Sequence, residues 1–410
     1  MSKYKLGDIA EIQSGPFGTQ LHKNEYVSSG ILMLNAKNIG NGVILTDSVD
    51  YVSEAVCKRL PRYILKKGDI LFGRAGSIER HTYVDNDYVG CFQGTNCIRI
   101  RCDNSDIARF VSYYLWLPEL KKIIENQTGG SILSYITTDL LENIFVDLPD
   151  ENIIKTTNYT LQLIERKIML NAMINDNLQQ QLKLIYDYWF TQFDFPNEDG
   201  KPYRTSGGAM EYSEALKRDI PKGWQVMNLL DVVSWESNSQ PPKSEFIYEP
   251  KDGYIRFIQN RDYDSNGYMT YIPYTKNLST VDRYDILMDK YGDAGAVRYG
   301  IEGAFNVALG KINVKMRYAQ EYVRSFLESD GVYKYLHNSC MASTRASLNE
   351  NNLGMLYICI PKDDILKKYQ MMAHGIRKSI LKSNDEIQQL TALRNWLLPM
   401  LMNGQATITD

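Results

Sequence analysis

The chain has 410 residues, 44% of them hydrophobic and 23% charged, which is the composition of a globular protein with about two or three domains. Its net charge of −3 excludes a protein that is basic throughout, so any contact with nucleic acid must use a local group of cations. It contains no apolar run of about 18 residues and no N-terminal signal core, so we expect a cytoplasmic protein without a membrane span.

Residues 1–149 are predicted to form a compact α+β head. Short apolar runs such as Ile31–Leu34 and Cys97–Ile100 are separated by Gly, Asn and Asp, which is typical of strands joined by turns. A helical pattern lies near residues 107–124. The head also carries a local group of cations with few acidic neighbours: Arg59, Arg62, Lys66, Lys67, Arg74 and Arg80. Either a solvated surface or a nucleic-acid contact would explain this group.

Residues 150–192 are predicted to form a first long helix of roughly 60 Å. Apolar residues recur at spacings of three, four and seven, which is the heptad pattern of a coiled-coil seam. The seam residues are Ile154, Leu161, Ile164, Ile168, Leu178, Leu182, Ile185 and Trp189. Asn171 and Asn175 lie on the same seam, where buried asparagines cost stability but fix the register. The sequence therefore predicts one specified partner for this helix.

Residues 193–224 are predicted to be an exposed connector that docks through its aromatic side chains, because proline, glycine and polar residues punctuate it. Residues 225–361 are predicted to form a second head with strands at Ile255–Ile258 and Lys311–Val314. Residues 362–410 complete the chain with a second spacer helix and a tail. The seam of that helix consists of Leu366, Tyr369, Ala373, Ile376, Ile380, Ile387, Leu390, Leu397 and Leu401.

The two heads are predicted to be copies of one another, because matching segments recur in the same order. The matches are Leu6–Ile9 with Leu229–Val232, Gly68–Phe72 with Tyr284–Met288, and Ile144–Pro149 with Leu356–Pro361. The offset shrinks from 223 residues (231 − 8) to 212 residues (361 − 149), as expected for collinear copies with small deletions. Each long helix must cover its apolar stripe, either with the other helix or with its own head.

Patterns that carry catalysis are missing from the sequence. A base-flipping adenine methyltransferase needs an Asn/Asp-Pro-Pro-Tyr loop, whereas the Pro-Pro here is flanked by Gln240 and Lys243. Neither a G-x-G-x-x-G turn nor a Walker loop occurs, and the six cysteines form no C-x2-C pair. We expect no catalytic residue, no bound cofactor and no metal site in this chain.

Two segments resemble a known family. Phe195–Gly208 with Leu216–Trp224 resembles the central region of specificity subunits of type I restriction-modification enzymes, and Leu393–Gln405 resembles their C-terminal helix. The head motifs Gly68–Leu71 and Asp285–Leu287 also fit, less specifically. The resemblance covers the whole chain.

The resemblance implies an α+β protein with two similar target-recognition domains, separated by two long antiparallel helices that form a coiled coil. Each domain would read one half of a bipartite double-stranded DNA target, and the helices would set the spacing. Two methylation subunits and restriction subunits would bind the chain. They would bring S-adenosylmethionine, ATP, Mg and the adenine-N6 chemistry, leaving this chain non-catalytic. A coiled-coil scaffold without sequence-specific DNA binding is the competing hypothesis, and a self-contained nucleic-acid enzyme is a further one.

Base chemistry narrows the candidate DNA contacts to polar loop residues. Arginine suits guanine and Asn or Gln suits adenine in the major groove, while lysine mostly contacts phosphate. The candidates are Lys37, Asn38, Arg74, Ser77 and Arg80 in the first head, and Gln259, Asn260, Arg261, Lys290, Tyr291, Arg298 and Arg345 in the second. For each of these residues, the alternative to a DNA contact is an ordinary structural role in a turn or on the surface of its head. The candidates for the methylation-subunit interface are Tyr188, Trp189, Phe190, Trp396 and Leu397, with core packing as the alternative.

Overall fold

The structure is a computed structural model that describes residues 2–74, 80–127, 135–263, 268–341 and 347–406. It divides into two compact units, Met1–Leu170 with Glu386–Asp410, and Asn171–Asp385. Each unit holds one head together with a part of both long helices. The units therefore cut across the five ranges predicted from the sequence.

The first head has strands and short helices in alternation. They are β1 (Ser2–Lys5), α1 (Leu6–Ile9), β2 (Ala10–Ser14), β3 (Tyr26–Val27), β4 (Ile31–Leu34), β5 (Asp50–Val52), α2 (Glu54–Arg59), β6 (Ile70–Gly73), β7 (His81–Tyr83), β8 (Phe92–Gln93), β9 (Cys97–Cys102), α3 (Ser105–Tyr114), α4 (Pro118–Gln127), α5 (Thr138–Glu142) and β10 (Phe145–Leu148). Within the described residues, β2-β9-β6-β7 form an antiparallel sheet, and β3-β5-β4-β8 form a second sheet in which β4 and β8 are parallel. Strand β1 pairs with β10, so the head is closed by its first and last strands.

The rest of the chain repeats this order after a long helix and a connector. The elements are α6 (Glu151–Tyr186), β11 (Met210–Ser213), β12 (Arg218–Pro221), β13 (Gln225–Asn228), α7 (Leu229–Val232), β14 (Val233–Ser237), β15 (Tyr254–Ile258), β16 (Tyr271–Pro273), β17 (Thr280–Val281), β18 (Ile286–Asp289), β19 (Val297–Arg298), β20 (Gly303–Phe305), β21 (Leu309–Val314), α8 (Gln320–Glu328), α9 (Asp330–Met341), α10 (Glu350–Leu353), β22 (Tyr357–Ile360) and α11 (Asp363–Met402). One turn of π-helix, Asp187–Thr191, extends α6. No helix in the described part of the chain has an apolar stretch long enough to cross a membrane.

The second head has the topology of the first. Its antiparallel sheet runs β14-β21-β18-β19, the counterpart of β2-β9-β6-β7, and β13 pairs with β22 as β1 does with β10. Strand β15 lies parallel to β20, as β4 does to β8. The prediction of two similar α+β domains is confirmed.

The two long helices pair in opposite directions, as is visible within each unit separately. In the first unit, Lys167 of α6 lies 3.4 Å from Glu386 of α11 (Nζ to Oε1), and Leu161 shares the core with Leu401. In the second unit, the Asn175 amide donates a 2.7 Å hydrogen bond to Asn384 Oδ1, and the ring of Tyr186 lies 6.5 Å from the ring of Tyr369. The partner of Asn175 is thus an amide on the opposite helix, which suits the register role predicted for it. The supercoil of a coiled coil stays a prediction.

Aromatic residues dock the connector on the second head. Phe193 and Phe195 are buried against Trp224 at the end of the connector, with ring centroids 5.6 and 5.1 Å away, and all three share a core with Leu229 and Ile358 of the second head. At the end of α6, the ring of Phe190 lies 4.6 Å from Tyr322 and 4.8 Å from Tyr369. Buried aromatic pairs of this kind add to the stabilisation that burial itself provides. The connector is consequently anchored to the second head.

A fully buried histidine lies in the core of the first head. The His81 ring is stacked between Phe72 and Trp116, 4.8 and 4.0 Å away, and its Nε2 donates a 2.8 Å hydrogen bond to the Ser112 carbonyl oxygen. Burial lowers the pKa of His81 from 6.5 to about 3, because a charged imidazole would be desolvated there. The folded head therefore requires the neutral imidazole.

Lowering the pH from 7 to 5 is expected to cost about 2 kcal/mol of unfolding free energy through His81 alone. The unfolded chain takes up the proton near pH 6.5, whereas the folded head excludes it until the pH approaches 3, so stability falls between these values. Chemical denaturation of the wild type and of His81→Phe at both pH values measures this cost. The exposed residue His22 provides a control, because His22→Phe should keep the wild-type pH dependence. An equal loss in wild type and His81→Phe would contradict the assignment.

Candidate nucleic-acid interface

Loops gather at one edge of the sheets in the first head, where β2, β4 and β6 end and β9 begins. The Arg74 amide donates to the Asn96 carbonyl oxygen at 2.8 Å, and the Gly94 amide donates to Leu34 at 2.8 Å. The Ile136 amide donates to the Arg74 carbonyl oxygen at 3.1 Å. We call this surface, formed by residues 15–20, 35–38, 74, 80, 94–96 and 135–136, the first loop edge.

The second head repeats this arrangement bond for bond. The Lys290 amide donates to Ala308 at 2.8 Å, and the Leu348 amide donates to Lys290 at 3.1 Å. The Asn306 amide donates to Ile258 at 3.0 Å, as Gly94 does to Leu34. We call the corresponding surface, residues 238–243, 259–263, 290–298, 306–308 and 347–348, the second loop edge. Lys290 therefore takes the place of Arg74.

The turn after β4 and its counterpart after β15 are built in the same way. The Asn35 amide donates to Asn38 Oδ1 at 3.0 Å, and the Gln259 amide donates to Asp262 Oδ2 at 3.1 Å. Asn38 and Asp262 are buried, 1% and 6% exposed. Asn38 also donates to two backbone carbonyl oxygens, those of Leu45 and Ser48, at 2.8 and 3.0 Å. The Asn38 side chain thus holds the turn together, which is the turn chemistry that was its alternative.

Lys37 and Arg261 occupy equivalent exposed positions in these turns, each directly before the buried residue. Lys37 Nζ lies 3.0 Å from Asp50 Oδ2. In the second head Thr270 stands where Asp50 does, and Arg261 Nη2 donates to its hydroxyl at 3.3 Å. The Arg261 side chain keeps 53% exposure and lies 3.9 Å from the Asp262 carboxylate. The second loop edge therefore has a neutral threonine where the first has Asp50, and the acidic contact of Arg261 is the longer one with Asp262.

Arg74 is half-buried at the first loop edge beside an exposed aromatic ring. Its guanidinium carbon lies 6.0 Å from the centroid of Phe17, whose side chain is 61% exposed. Arg74 Nε is buried without a hydrogen-bond partner among the residues that the structure describes. Arg80 is half-buried nearby in the chain, and Ser77 lies outside the described residues.

The candidate DNA-contact residues of the second head differ in their hydrogen bonds, ion pairs and exposure. Arg298 Nη2 lies 2.8 Å from Asp289 and 3.2 Å from Asp293, so it ties the loop after β18 to the neighbouring strand. Burial raises the pKa of Asp289, although hydrogen bonds from Arg298 and Asn260 oppose this effect. Gln259 Nε2 donates to Thr270 Oγ1 at 3.0 Å. Tyr291 is exposed, Lys290 is half-buried, and Arg345 lies outside the described residues.

Two aromatic residues of the first loop edge were not among the sequence-based candidates. Phe17 and Tyr135 are exposed, and Tyr135 directly precedes the residue that bonds to Arg74. An aromatic residue in a polar, glycine-containing loop was the available signal for Phe17, since nothing in such a loop buries a ring.

The predicted subunit-interface residues divide into buried and exposed ones. Phe190 is buried in the aromatic cluster and Trp189 packs against it, while Leu397 packs against the core of the first unit. These three side chains have packing partners within their own unit, and contact with a partner subunit stays a prediction for them. Tyr188 and Trp396 are exposed, and contact with a partner stays a prediction for them.

These features define an internally duplicated binding protein with one loop edge in each copy. In the described part of the chain, no group of three His, Cys, Asp or Glu side chains could hold a metal ion. The two loop edges have the features of a binding surface, because cations and aromatic rings occupy loops that a rigid sheet supports.

Comparison with known proteins identifies the family. The sequence model described as "Type I restriction modification DNA specificity domain" matches residues 1–180 and again 221–391. The chain is 22% identical to the type I restriction enzyme MjaIX specificity subunit of Methanocaldococcus jannaschii, over 99% of this chain and 93% of that protein. It is 23% identical to the HindI specificity subunit of Haemophilus influenzae, over 98% of this chain and 99% of that protein.

A solved structure has the same fold. The S subunit of a type I restriction-modification system from M. genitalium gives a TM-score of 0.63 at 14% identity, covering 98% of this chain and 95% of that chain. The chain belongs to the family of type I restriction-modification DNA specificity subunits. The resemblance found in the sequence is confirmed.

Replacing Gly94 by alanine is expected to disorder the first loop edge and to cost about 1–3 kcal/mol of stability. The added Cβ would lie 2.1 Å from Asn35 Oδ1 and 2.6 Å from the Leu34 carbonyl oxygen, so the two loops must separate. Hydrogen exchange at the Arg74 and Gly94 amides, with thermal unfolding, measures the effect. Gly73→Ala is the matched control, because its Cβ would meet only an ordinary 3.4 Å contact with Ala36. Wild-type exchange in Gly94→Ala would contradict the close approach.

Proposed function

We propose that the chain is a DNA-specificity subunit in which each head reads one half of a bipartite double-stranded target. The observation that carries this proposal is the duplicated loop edge, where cations recur at equivalent positions. Lys37 corresponds to Arg261, and Arg74 corresponds to Lys290. A protein that binds two similar half-sites needs two similar contact surfaces, since half-site symmetry mirrors protein symmetry.

The contacts divide by chemistry. Arg74 and Arg261 are the candidates for reading guanine, and Lys37 and Lys290 for holding phosphate. Phe17 would support Arg74 and Tyr291 would pack on the DNA, as rings next to cations do in nucleic-acid sites. Asn38 and Arg298 act as positioning residues, because Asn38 bonds to the backbone of its own turn and Arg298 bonds to Asp289 of β18 and to Asp293 in the loop after it.

In this proposal, the chain recognises the DNA sequence and its partner subunits carry out the reactions. We infer that two methylation subunits and restriction subunits bind it, and that the long helices set the distance between the half-sites. Tyr188 and Trp396 are the interface candidates, because both side chains remain exposed while Phe190 and Leu397 pack into the cores of the units. S-adenosylmethionine, ATP and Mg would belong to those partners, and this chain would have no catalytic role.

Exchanging residues 2–148 for the first head of a relative with a different target is expected to change one half of the methylated sequence. The reason is that each half-site is read by one loop edge. Adenine-methylation sequencing of DNA from cells that carry the chimera and its methylation subunits gives the result. A change in both halves would contradict modular reading, and a complex that methylates without any sequence preference would contradict the proposed function.

Arg74→Ala is expected to weaken binding to the native target by roughly 1–3 kcal/mol and to relax discrimination at one base pair. Fluorescence anisotropy of the complex with methylation subunits, on the native target and on single-base variants, measures both effects. Lys58→Ala is the control, because Lys58 is an exposed cation on α2, which follows the opposite end of the β4–β5 pair. Wild-type affinity and discrimination would remove Arg74 from the interface.

A further inference from the structure

A charged side chain of each long helix contacts the head before it, and this side chain is buried in the second unit and half-buried in the first. In the second unit, Arg377 of α11 is 2% exposed, and its Nε and Nη2 donate to Glu321 at 2.7 Å and Glu328 at 2.6 Å. Glu321 lies in the first turn of α8, and Glu328 is the last residue of that helix. In the first unit, Glu165 of α6 accepts a 2.7 Å hydrogen bond from the Tyr113 hydroxyl of α3.

We call the contact between a head and the long helix that follows it a joint. The charges at the two joints are reversed. Arg377 corresponds to Glu165 (377 − 165 = 212), and Glu321 corresponds to Arg109 (321 − 109 = 212). The same offset relates the preceding strands β22 and β10 (357 − 145 = 212). At these corresponding positions the helix residue is anionic and the head residue cationic in the first copy, while the signs are opposite in the second. Arg109 forms its ion pair with Asp85 of the same head, at 2.8 Å, and acts on Glu165 through its charge at longer range.

Both charges are held in surroundings that penalise an unmatched ion. Burial raises the pKa of Glu165, although the Tyr113 hydrogen bond and nearby arginines oppose this effect. Burial disfavours the charge of Arg377, but Glu328 and Glu321 outweigh it and raise the pKa of Arg377. A buried ion that loses its partner is strongly destabilising, whereas a matched pair is tolerated.

The second joint depends on residues that the first head lacks. In the first head, Arg109 and Trp116 stand in the places of Glu321 and Glu328 (328 − 116 = 212). A first-type head placed against α11 would bring Arg109 to Arg377 and would supply neither carboxylate. The opposite exchange would bring Glu321 to Glu165.

We propose that the charge at positions 165 and 377 determines which head each long helix accepts, so the two heads of this chain are not interchangeable. The opposite charges at these positions then select the correct head–helix contacts during folding of a chain whose halves share one topology. A head introduced from another chain must carry the complementary charge at the position of Arg109 or Glu321. This inference concerns folding and does not rest on DNA reading.

A chain with the first head in both positions tests the proposal. Residues 225–361 are replaced by a second copy of residues 2–149, with all other residues unchanged. We expect the second unit of this chimera to be unfolded or proteolysed, and Arg377→Glu to restore its folding. Lys378→Glu is the matched control, because it makes the same charge change on an exposed neighbour and should restore nothing. Thermal unfolding and limited proteolysis report folding, so loss of DNA binding alone would not affect the result.

Equal stability of the chimera with and without the Arg377→Glu substitution would overturn the proposal when both forms fold. Should both fail to fold, a charge-reversal cycle in the native chain decides. Arg377→Glu and Glu321→Arg are each expected to lower the unfolding temperature, and the double variant is expected to recover part of the loss. A double variant that loses as much as the sum of both single variants would overturn the proposal.

Discussion

The core of each head is completed by side chains from both long helices, and the rest of the architecture depends on this sharing. Ile154 and Leu161 of α6 lie in the core of the first unit together with Leu398 and Leu401 of α11. In the second unit the helices contribute to the core in the same way. Removal of a helix would expose these apolar surfaces, at about 25 cal/mol per Å². Folding of the heads is consequently coupled to pairing of the helices.

A rigid sheet beneath a variable edge explains how one topology can serve two recognition tasks. The backbone bonds at Arg74 and Lys290 are the same in both heads, while the side chains around them differ. Asp50 faces Lys37 in one copy, and Thr270 faces Arg261 in the other. Such changes alter the potential presented to a ligand without altering the strands, which is why loops on fixed scaffolds carry specificity.

The sequence predicted the duplication, the strands and the two seam helices, because these follow from local periodicity and from repeated motifs. It could not predict which polar loop residues would be satisfied within the head. The Asn38 side chain donates hydrogen bonds to two backbone carbonyl oxygens. Arg298 forms ion pairs with two aspartates, one of which is buried on the adjacent strand. Those partners are set by tertiary packing, for which spacing in the chain gives no signal. Phe17 differs from these residues, because an aromatic ring in a polar, glycine-containing loop was a signal that the sequence did offer.

The pairing of β1 with β10 has an evolutionary consequence. Ser2 lies opposite Leu148 in this ladder, so the polypeptide enters and leaves the first head at adjacent points. A different head interior can be joined between such neighbouring ends without stretching the flanking chain, provided that it fits the helix side chains that complete the core. Crossovers placed beyond residue 165 would carry the matching helix charge along with the incoming head, whereas crossovers at the strand itself would leave that charge behind.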